Sequence, residues 1–182
     1  MGKALLVVAA VVATAASIYA APVLAGAMGA GLSLLMLAIA VIDARRFIIP
    51  DPLNAAALAL GFAQAVVLNE RWTALAEASL RAAALATLFL ILRAGYARLR
   101  GQDGIGLGDV KLAAVAGAWL DWVVVPLAIE IAAVSALGAY VIHRVFWQRR
   151  AIRANARLPF GLFFAPAIWI GWLLQVTWLA SW

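Results

Sequence analysis

The chain has 182 residues, of which 68% are hydrophobic and only 12% are charged, with eight Trp, one His and no Cys. Soluble domains average about 45–50% apolar and about 25% charged residues, and a soluble fold of this composition would expose large apolar patches. The composition therefore predicts a polytopic membrane protein. The lack of Cys excludes disulfides, thiolate metal sites and a Cys nucleophile, and a single His excludes a His-rich zinc site.

Seven apolar segments approach the roughly 20 helical residues that cross the apolar core of a bilayer. They lie at residues 4–20, from a Pro/Gly stretch at 22–31 to residue 42, and at 53–68, 73–92, 109–122, 123–142 and 160–179. The sequence thus predicts a single domain over residues 1–182, folded as an all-α polytopic membrane protein with a bundle of about 6–7 transmembrane helices. Residues 1–22 are either a retained first helix, which we favour, or a cleavable signal peptide.

Basic residues predict how this bundle is oriented. All Lys and Arg except Arg71 and Arg81 lie near the N-terminus, in the polar connections 43–52, 93–108 and 143–159, or just beyond them at Lys111. These positions share one side of the bundle, and because Lys and Arg accumulate in cytoplasmic loops, we expect that side to face the cytoplasm. Topology and contact with anionic lipid then explain the net charge of +6, and nothing further supports binding of nucleic acid.

Two of the few acidic residues stand at the cytoplasmic edges of predicted spans. Asp43 ends the second span and Asp109 begins the fifth, so the topology brings both to the same face. Ionisable groups at such edges are costly unless they are paired or reach water, which makes them functional candidates. Two carboxylates held close can share one proton, so that one acts as an acid while the other activates water.

Structural alternatives exist for both carboxylates. Asp43 would be an interfacial acid beside Arg45 and Arg46, and Asp109 would be a helix N-cap. We favour function because glycines precede Asp109, and backbone without side chains lets a substrate strand approach closely. A helix from Asp109 to Trp122 would be roughly 20 Å long, shorter than the roughly 30 Å apolar core, so we expect Asp109 below the cytoplasmic surface in a water-accessible cavity.

These motifs closely resemble those of the type IV prepilin peptidases, which are intramembrane aspartyl proteases of the GxGD type. The residues that carry the resemblance are Asp43 with Ile49-Pro50-Asp51, and Gly106-Leu-Gly108-Asp109-Val-Lys111-Leu112. It covers a peptidase core of about residues 30–166. The resemblance implies that Asp43 and Asp109 are the catalytic pair, that neither cofactor nor metal takes part, and that the enzyme lies in the bacterial inner membrane with both aspartates at the cytoplasmic face.

The resemblance also implies a substrate. Family members cut a prepilin or pseudopilin after a Gly, just before its hydrophobic helix, and the pilus or secretion machinery is a further candidate partner besides the lipid bilayer. Longer members add an N-terminal domain with paired Cys that N-methylates the product. This chain lacks such a domain, so it looks like the short, peptidase-only form often associated with Flp-type pili, for which methylation is not expected.

Residues around the two aspartates are further candidates for shaping the site or binding substrate. These are Pro50, Asp51, Asp103, Gly106, Gly108, Lys111, Pro159 and Phe160. The family's Pro-Phe-x-Pro run is altered here, because the second proline is delayed to Pro166. Asp51 and Asp103 either attract a basic leader or are ordinary loop acids. Lys111 is expected to extend towards water rather than to stabilise a carboxylate.

Arg81 and Glu130 lie at similar depth in the fourth and sixth spans, so we expect a structural ion pair between them, with Glu77 one turn from Arg81.

No Ser lies in a Gly-x-Ser-x-Gly setting, which disfavours serine-protease chemistry. The main alternative function is a small proton-coupled transporter or channel that uses Asp43 and Asp109 as proton sites. It would place its key acids near mid-membrane and show inverted repeats, and the sequence indicates neither. A non-catalytic scaffold subunit would leave the Gly-x-Gly-Asp run without a purpose.

Overall fold

The computed structural model describes residues 2–69, 72–101, 104–142 and 159–178. Within these ranges the chain forms seven α-helices and no strand. The helices are α1 (Lys3–Ala20), α2 (Val23–Arg46), α3 (Asp51–Asn69), α4 (Trp72–Arg100), α5 (Leu107–Trp119), α6 (Val124–Ile142) and α7 (Phe160–Thr177). Six of them, all but α5, are long and apolar enough to cross a membrane, which confirms the predicted all-helical, multi-pass fold.

The shortest helix, α5, lies at the centre of the bundle. Its 13 residues span only about 20 Å, and nearly all of its residues from Val110 onwards are buried. It packs against α4, α3 and α7, whereas α2 packs against α1, α3 and α7. Gly117 allows α5 to lie close to α4, because a Cβ there would lie 2.5 Å from the carbonyl group of Arg81 on α4. This short central helix agrees with the prediction that a helix starting at Asp109 would be shorter than the apolar core of a bilayer.

Aromatic side chains fix how the surrounding helices meet in the core. The rings of Phe89 on α4 and Phe164 on α7 stack with centroids 5.8 Å apart, and Trp119 meets Trp172 edge to face at 6.4 Å. The Trp119 indole also donates a hydrogen bond of 2.8 Å to the carbonyl of Ala57 on α3. These contacts hold α3, α4 and α7 around α5.

Two helices run further than the sequence predicted. The fourth span was expected to end at residue 92 and the second at residue 42, but α4 continues to Arg100 and α2 to Arg46. The added residues include several Arg, which are good helix formers and reach water with their long side chains, so the helix does not end where the apolar segment ends. Arg93 therefore lies on a helix instead of in a loop.

The predicted ion pair between Arg81 and Glu130 is wrong. The Arg81 guanidinium lies 3.6 Å from Asp121 and 3.9 Å from Glu77, and its Nε donates to the Gly117 carbonyl at 3.2 Å. Glu130 is exposed on α6, which packs mainly against α7. Similar depth along two spans does not decide whether two side chains meet, because which side of a helix faces which neighbour depends on how the helices pack.

The first helix packs along α2 and touches α7. The Trp169 indole donates a hydrogen bond of 2.9 Å to the buried hydroxyl of Ser17. Ser17 in turn donates to the Ala13 carbonyl at 2.8 Å, so its hydroxyl is satisfied on both sides. That α1 is retained in the mature protein stays a prediction.

Candidate active site

Asp43 lies in the last turn of α2 and is 5% exposed. Its Oδ2 accepts a hydrogen bond of 3.0 Å from the backbone N–H of Leu162, in the first turn of α7. The first N–H groups of a helix have no partner within the helix, and the helix dipole favours negative charge there. The N-terminus of α7 therefore provides a polar cradle for a carboxylate that is otherwise buried.

Gly161 makes this cradle sterically feasible. A Cβ at that position would lie 2.9 Å from Asp43 Oδ2 and 2.8 Å from the Cδ1 of Ile49. Any side chain would push the start of α7 away from Asp43, so the contact requires glycine. Sequence reasoning missed Gly161 as a site residue, although it stands in the altered Pro-Phe run between Phe160 and Leu162.

Asp109 is the third residue of α5, and Gly106 is the N-cap. The Gly106 N–H donates a hydrogen bond of 3.2 Å to Asp109 Oδ2, so the carboxylate folds back over the start of its own helix. This is one half of a capping box, in which the third residue of a helix satisfies the backbone of the cap. The structural alternative considered above, that Asp109 is itself the N-cap, is wrong.

The buried side chain of Ile49 joins the two aspartate sites. It fills the space beside Gly108, where a Cβ would lie 2.9 Å from Ile49 Cβ, and its far end contacts Gly161. Ile49, which lies just beyond the end of α2, thus contacts the starts of both α5 and α7. At these starts it meets Gly108, which precedes Asp109, and Gly161, which lies against the carboxylate of Asp43. Two acids far apart in sequence therefore belong to one site.

Lys111 forms an ion pair with Asp51, with 2.6 Å between Nζ and Oδ1. Both side chains are largely exposed, at 50% and 69%. The sequence favoured extension of Lys111 towards water over stabilisation of a carboxylate; the half-exposed side chain also pairs with Asp51, because the packing of α3 along α5 brings the two charges together. Asp51 is the first residue of α3 and not a loop residue. Its carboxylate is paired with Lys111 on α5.

Arg93 supports the segment that leads into Gly106. Its guanidinium donates a hydrogen bond of 2.8 Å to the carbonyl of Ile105. Sequence reasoning assigned Arg93 only to the charge bias of the connections, because its place on the extended α4 was not predicted. The arginine holds the residue immediately before the cap of α5, and so helps to fix where Asp109 lies.

The remaining predicted site residues divide into three groups. Pro50 precedes α3 and its carbonyl accepts the Asn54 N–H at 3.1 Å. Pro159 is the N-cap of α7 and Phe160 its first residue, directly before the cradle of Asp43, with the Phe160 ring 5.3 Å from that of Phe164. Asp103 and the basic segment 143–158 lie outside the described residues.

This arrangement places two carboxylates at one end of a helical bundle, each held by a backbone N–H at the start of a helix. A sequence profile described as "Type IV leader peptidase family" matches residues 30–142, which include both Asp43 and Asp109. The match covers more than half of the chain. The protein belongs to the type IV leader peptidase family.

Individual relatives agree with this assignment. Leader peptidase HopD of Escherichia coli is 34% identical over 131 residues, which cover 71% of this chain and 82% of HopD. A prepilin leader peptidase/N-methyltransferase of Burkholderia pseudomallei (strain K96243) is 37% identical over 145 residues, covering 74% of this chain but 42% of that protein. The similarly named protein of Escherichia coli (strain K12) is 30% identical over 147 residues, or 80% of this chain and 60% of the relative. This chain thus spans less than two thirds of the N-methyltransferase-type relatives, and no solved structure matches it significantly.

Proposed function

We propose that this protein is a prepilin leader peptidase that hydrolyses the bond after a Gly at the cytoplasmic end of the hydrophobic segment of a prepilin or pseudopilin. Asp43 and Asp109 are its catalytic pair. The observation that carries the proposal is that two carboxylates, held by backbone N–H groups at the starts of α7 and α5, lie at the same end of the bundle in a chain of the leader peptidase family. The proposed location is the bacterial inner membrane, with the site at the cytoplasmic face.

The proposed mechanism needs one proton shared by two carboxyl groups. The ionised carboxylate takes a proton from a water molecule, which attacks the scissile carbonyl carbon, while the protonated partner donates its proton to the carbonyl oxygen. Collapse of the tetrahedral intermediate breaks the C–N bond, and a proton passes to the departing amine. Because the two groups titrate as a coupled pair, the proton belongs to the pair and not to one named residue.

Three features of this chain support that mechanism. The N–H of Leu162 and the N–H of Gly106 each hold one carboxylate in place, so both reactive groups are oriented before substrate arrives. Glycines at 106 and 161 let the backbone at the starts of α5 and α7 lie directly against the two carboxylates. The central helix α5 has 13 residues, too few to span the apolar core, which supports a water-accessible cavity at its start.

A cleavage assay tests the proposal. The purified protein in liposomes is given a synthetic prepilin with a basic leader, a Gly and a hydrophobic helix, and the product is followed by gel shift. Asp43→Asn and Asp109→Asn are each expected to lower the cleavage rate roughly 100-fold or more, because each removes one partner of the acid–base pair. Glu130→Gln is the matched control, since it makes the same acid-to-amide change at an exposed position on α6.

Thermal melting accompanies each variant, so that loss of cleavage is attributed to chemistry only in a folded protein. Full activity in either aspartate variant would contradict the assignment of the pair. No cleavage of prepilin-like substrates by folded wild type would contradict the peptidase itself. Proton flux into the same liposomes would then test the transporter alternative, which the family match and the relatives do not support.

A further inference from the structure

Asn54 carries a buried polar side chain that no described residue satisfies. The residue lies one turn into α3 and is 4% exposed. Its backbone N–H is used, because it donates to the Pro50 carbonyl at 3.1 Å. Its side-chain Nδ2 and Oδ1, however, are both buried and have no hydrogen-bond partner among the described residues. A carboxamide with neither its donors nor its acceptor paired is an expensive group to bury.

Asn54 lies near the end of α3 that borders the two aspartate sites. Ile49, five residues earlier, fills the space between Gly108 and Gly161. Asp51, one turn before Asn54, pairs with Lys111, which is two residues beyond Asp109. One turn after Asn54, the carbonyl of Ala57 accepts the indole N–H of Trp119 at the far end of α5. Asn54 therefore lies at the level of the first half of α5, towards the end that carries Asp109.

Helical periodicity places Asn54 on the inward face of α3. Asn54, Ala57, Gly61 and Ala65 are the buried positions of this helix, and they recur at intervals of three and four residues. Gly61 packs directly on the Trp119 ring, so this face is the one that meets α5. The Asn54 carboxamide consequently lies inside the bundle and is turned away from lipid.

The chemistry of a carboxamide matches that of a peptide group. Asn offers one carbonyl acceptor and two N–H donors, so it can pair with both the N–H and the C=O of a substrate main chain. A protease binds its substrate extended at the bond that is cut, so the backbone groups of that segment have no helical partners and need new ones at the site. The unpaired Asn54 carboxamide offers such partners. A Leu of similar size would avoid the burial cost but would leave the substrate backbone unpaired.

We propose that Asn54 is a substrate-binding residue, and this inference rests on the function proposed above. Its carboxamide hydrogen-bonds the main chain of the extended segment next to the scissile bond. It holds that segment extended in front of Asp43 and Asp109. Because the carboxamide meets the backbone, it contributes to binding of any prepilin that reaches the site. The side-chain sequence of the substrate does not alter this contact.

The first experiment compares Asn54→Leu with Gln64→Leu in the full-length protein in liposomes. Gln64 is the matched control, because its Oε1 is also buried without a partner, but it lies almost three helical turns further along α3. Asn54→Leu is expected to lower kcat/KM roughly 10- to 100-fold while the melting temperature stays equal or rises, since an unpaired buried amide is removed. Gln64→Leu is expected to keep wild-type kcat/KM. Asn54→Ala replaces the Leu variant if that variant does not fold.

A second experiment tests contact with the main chain directly. In a series of substrates, each amide flanking the cleavage site is replaced in turn by an ester, which removes one backbone N–H. At the position paired with Asn54, the ester is expected to slow wild type but to have no further effect on Asn54→Leu, because the two changes remove the same bond. Effects that multiply at every position would overturn the inference.

The outcomes separate this inference from the proposed function. If wild type cleaves and Asn54→Leu cleaves equally well, the inference fails and the peptidase stands. A clear fall in the melting temperature of Asn54→Leu and Asn54→Ala would also overturn it, because it would show a structural partner for the carboxamide. If folded wild type cleaves no prepilin-like substrate, the peptidase and the substrate-binding role fail together.

Discussion

At Gly161 a single missing side chain sets the geometry of the site. Its backbone lies against both the carboxylate of Asp43 and the tip of Ile49, and a Cβ would come within 2.9 Å of each. We expect Gly161→Ala to displace the start of α7 and with it the Leu162 N–H that holds Asp43. The cleavage rate is expected to fall about 10- to 100-fold, because misplacement of a catalytic group by a fraction of an ångström to an ångström costs this much.

Gly138→Ala is the matched control for Gly161→Ala in the same cleavage assay. Gly138 lies within α6 and a Cβ there meets no atom within 4 Å. Alanine is a better helix former than glycine, so this variant should keep wild-type cleavage and melt at an equal or higher temperature. A Gly161→Ala protein with wild-type cleavage would show that the close packing against Asp43 does not matter for the reaction.

Sequence reasoning reached some of these residues and not others. Asp43 and Asp109 stand out because acids are scarce in this chain and because the topology puts both at one face. Gly161 and Ile49 matter only through contacts among α2, α5 and α7, which no local pattern encodes. Asn54 was not selected either, since an Asn early in a helix, two residues after a proline, is ordinary until its burial is known.

At the scale of elements, α5 is held at its outer end by its neighbours. The guanidinium of Arg81 binds the Gly117 carbonyl and lies 3.6 Å from Asp121, and the Asp121 N–H donates to the Gln175 side chain at 2.9 Å. We expect Asp121→Asn to lower the free energy of unfolding by about 0.5–1 kcal/mol, since Asp121 is well exposed and water screens the pair. Thermal melting in one detergent measures the difference.

Glu130→Gln gives the contrast for Asp121→Asn. Glu130 is exposed on α6 and does not contact Arg81, so its neutralisation is expected to leave the melting temperature unchanged or to raise it. A larger loss of stability in Glu130→Gln than in Asp121→Asn would restore the pair that the sequence predicted between Arg81 and Glu130. Such a result would contradict the packing of α4 described here.

The elements themselves were largely predictable from sequence, because length and hydropathy define a membrane helix almost completely. Their ends were less so. Arg93 and Arg100 read as parts of a loop because they are charged, yet they extend α4, and Arg93 then binds the Ile105 carbonyl beside the cap of α5. The partner of Arg81 was misread for a related reason, since hydropathy gives the depth of a residue but not the direction in which its side chain points.

At the scale of the whole molecule, alternate helix ends gather on the same side. The end of α2 and the starts of α5 and α7 meet around Asp43 and Asp109. At the opposite side, Asp121 beyond α5 contacts Arg81 in the first half of α4 and Gln175 near the end of α7. This is the alternation expected of a chain that crosses a membrane repeatedly. The distribution of Lys and Arg predicts that the side with Asp43 and Asp109 faces the cytoplasm.

Because the sequence contains no Cys, maleimide labelling of single introduced Cys residues can measure this orientation without background labelling. Leu99 and Tyr19 are 86% and 91% exposed and lie at opposite sides of the bundle, Leu99 near the end of α4 and Tyr19 near the end of α1. A membrane-impermeant maleimide is expected to label Tyr19→Cys from the outer side of intact inner membranes and Leu99→Cys only in inverted vesicles. Ala116→Cys, which is 1% exposed, is the buried control and should react only after denaturation. The opposite labelling pattern would put Asp43 and Asp109 on the outer face, where a cytoplasmic leader cannot reach them. That result would contradict the proposed peptidase without contradicting the helical fold.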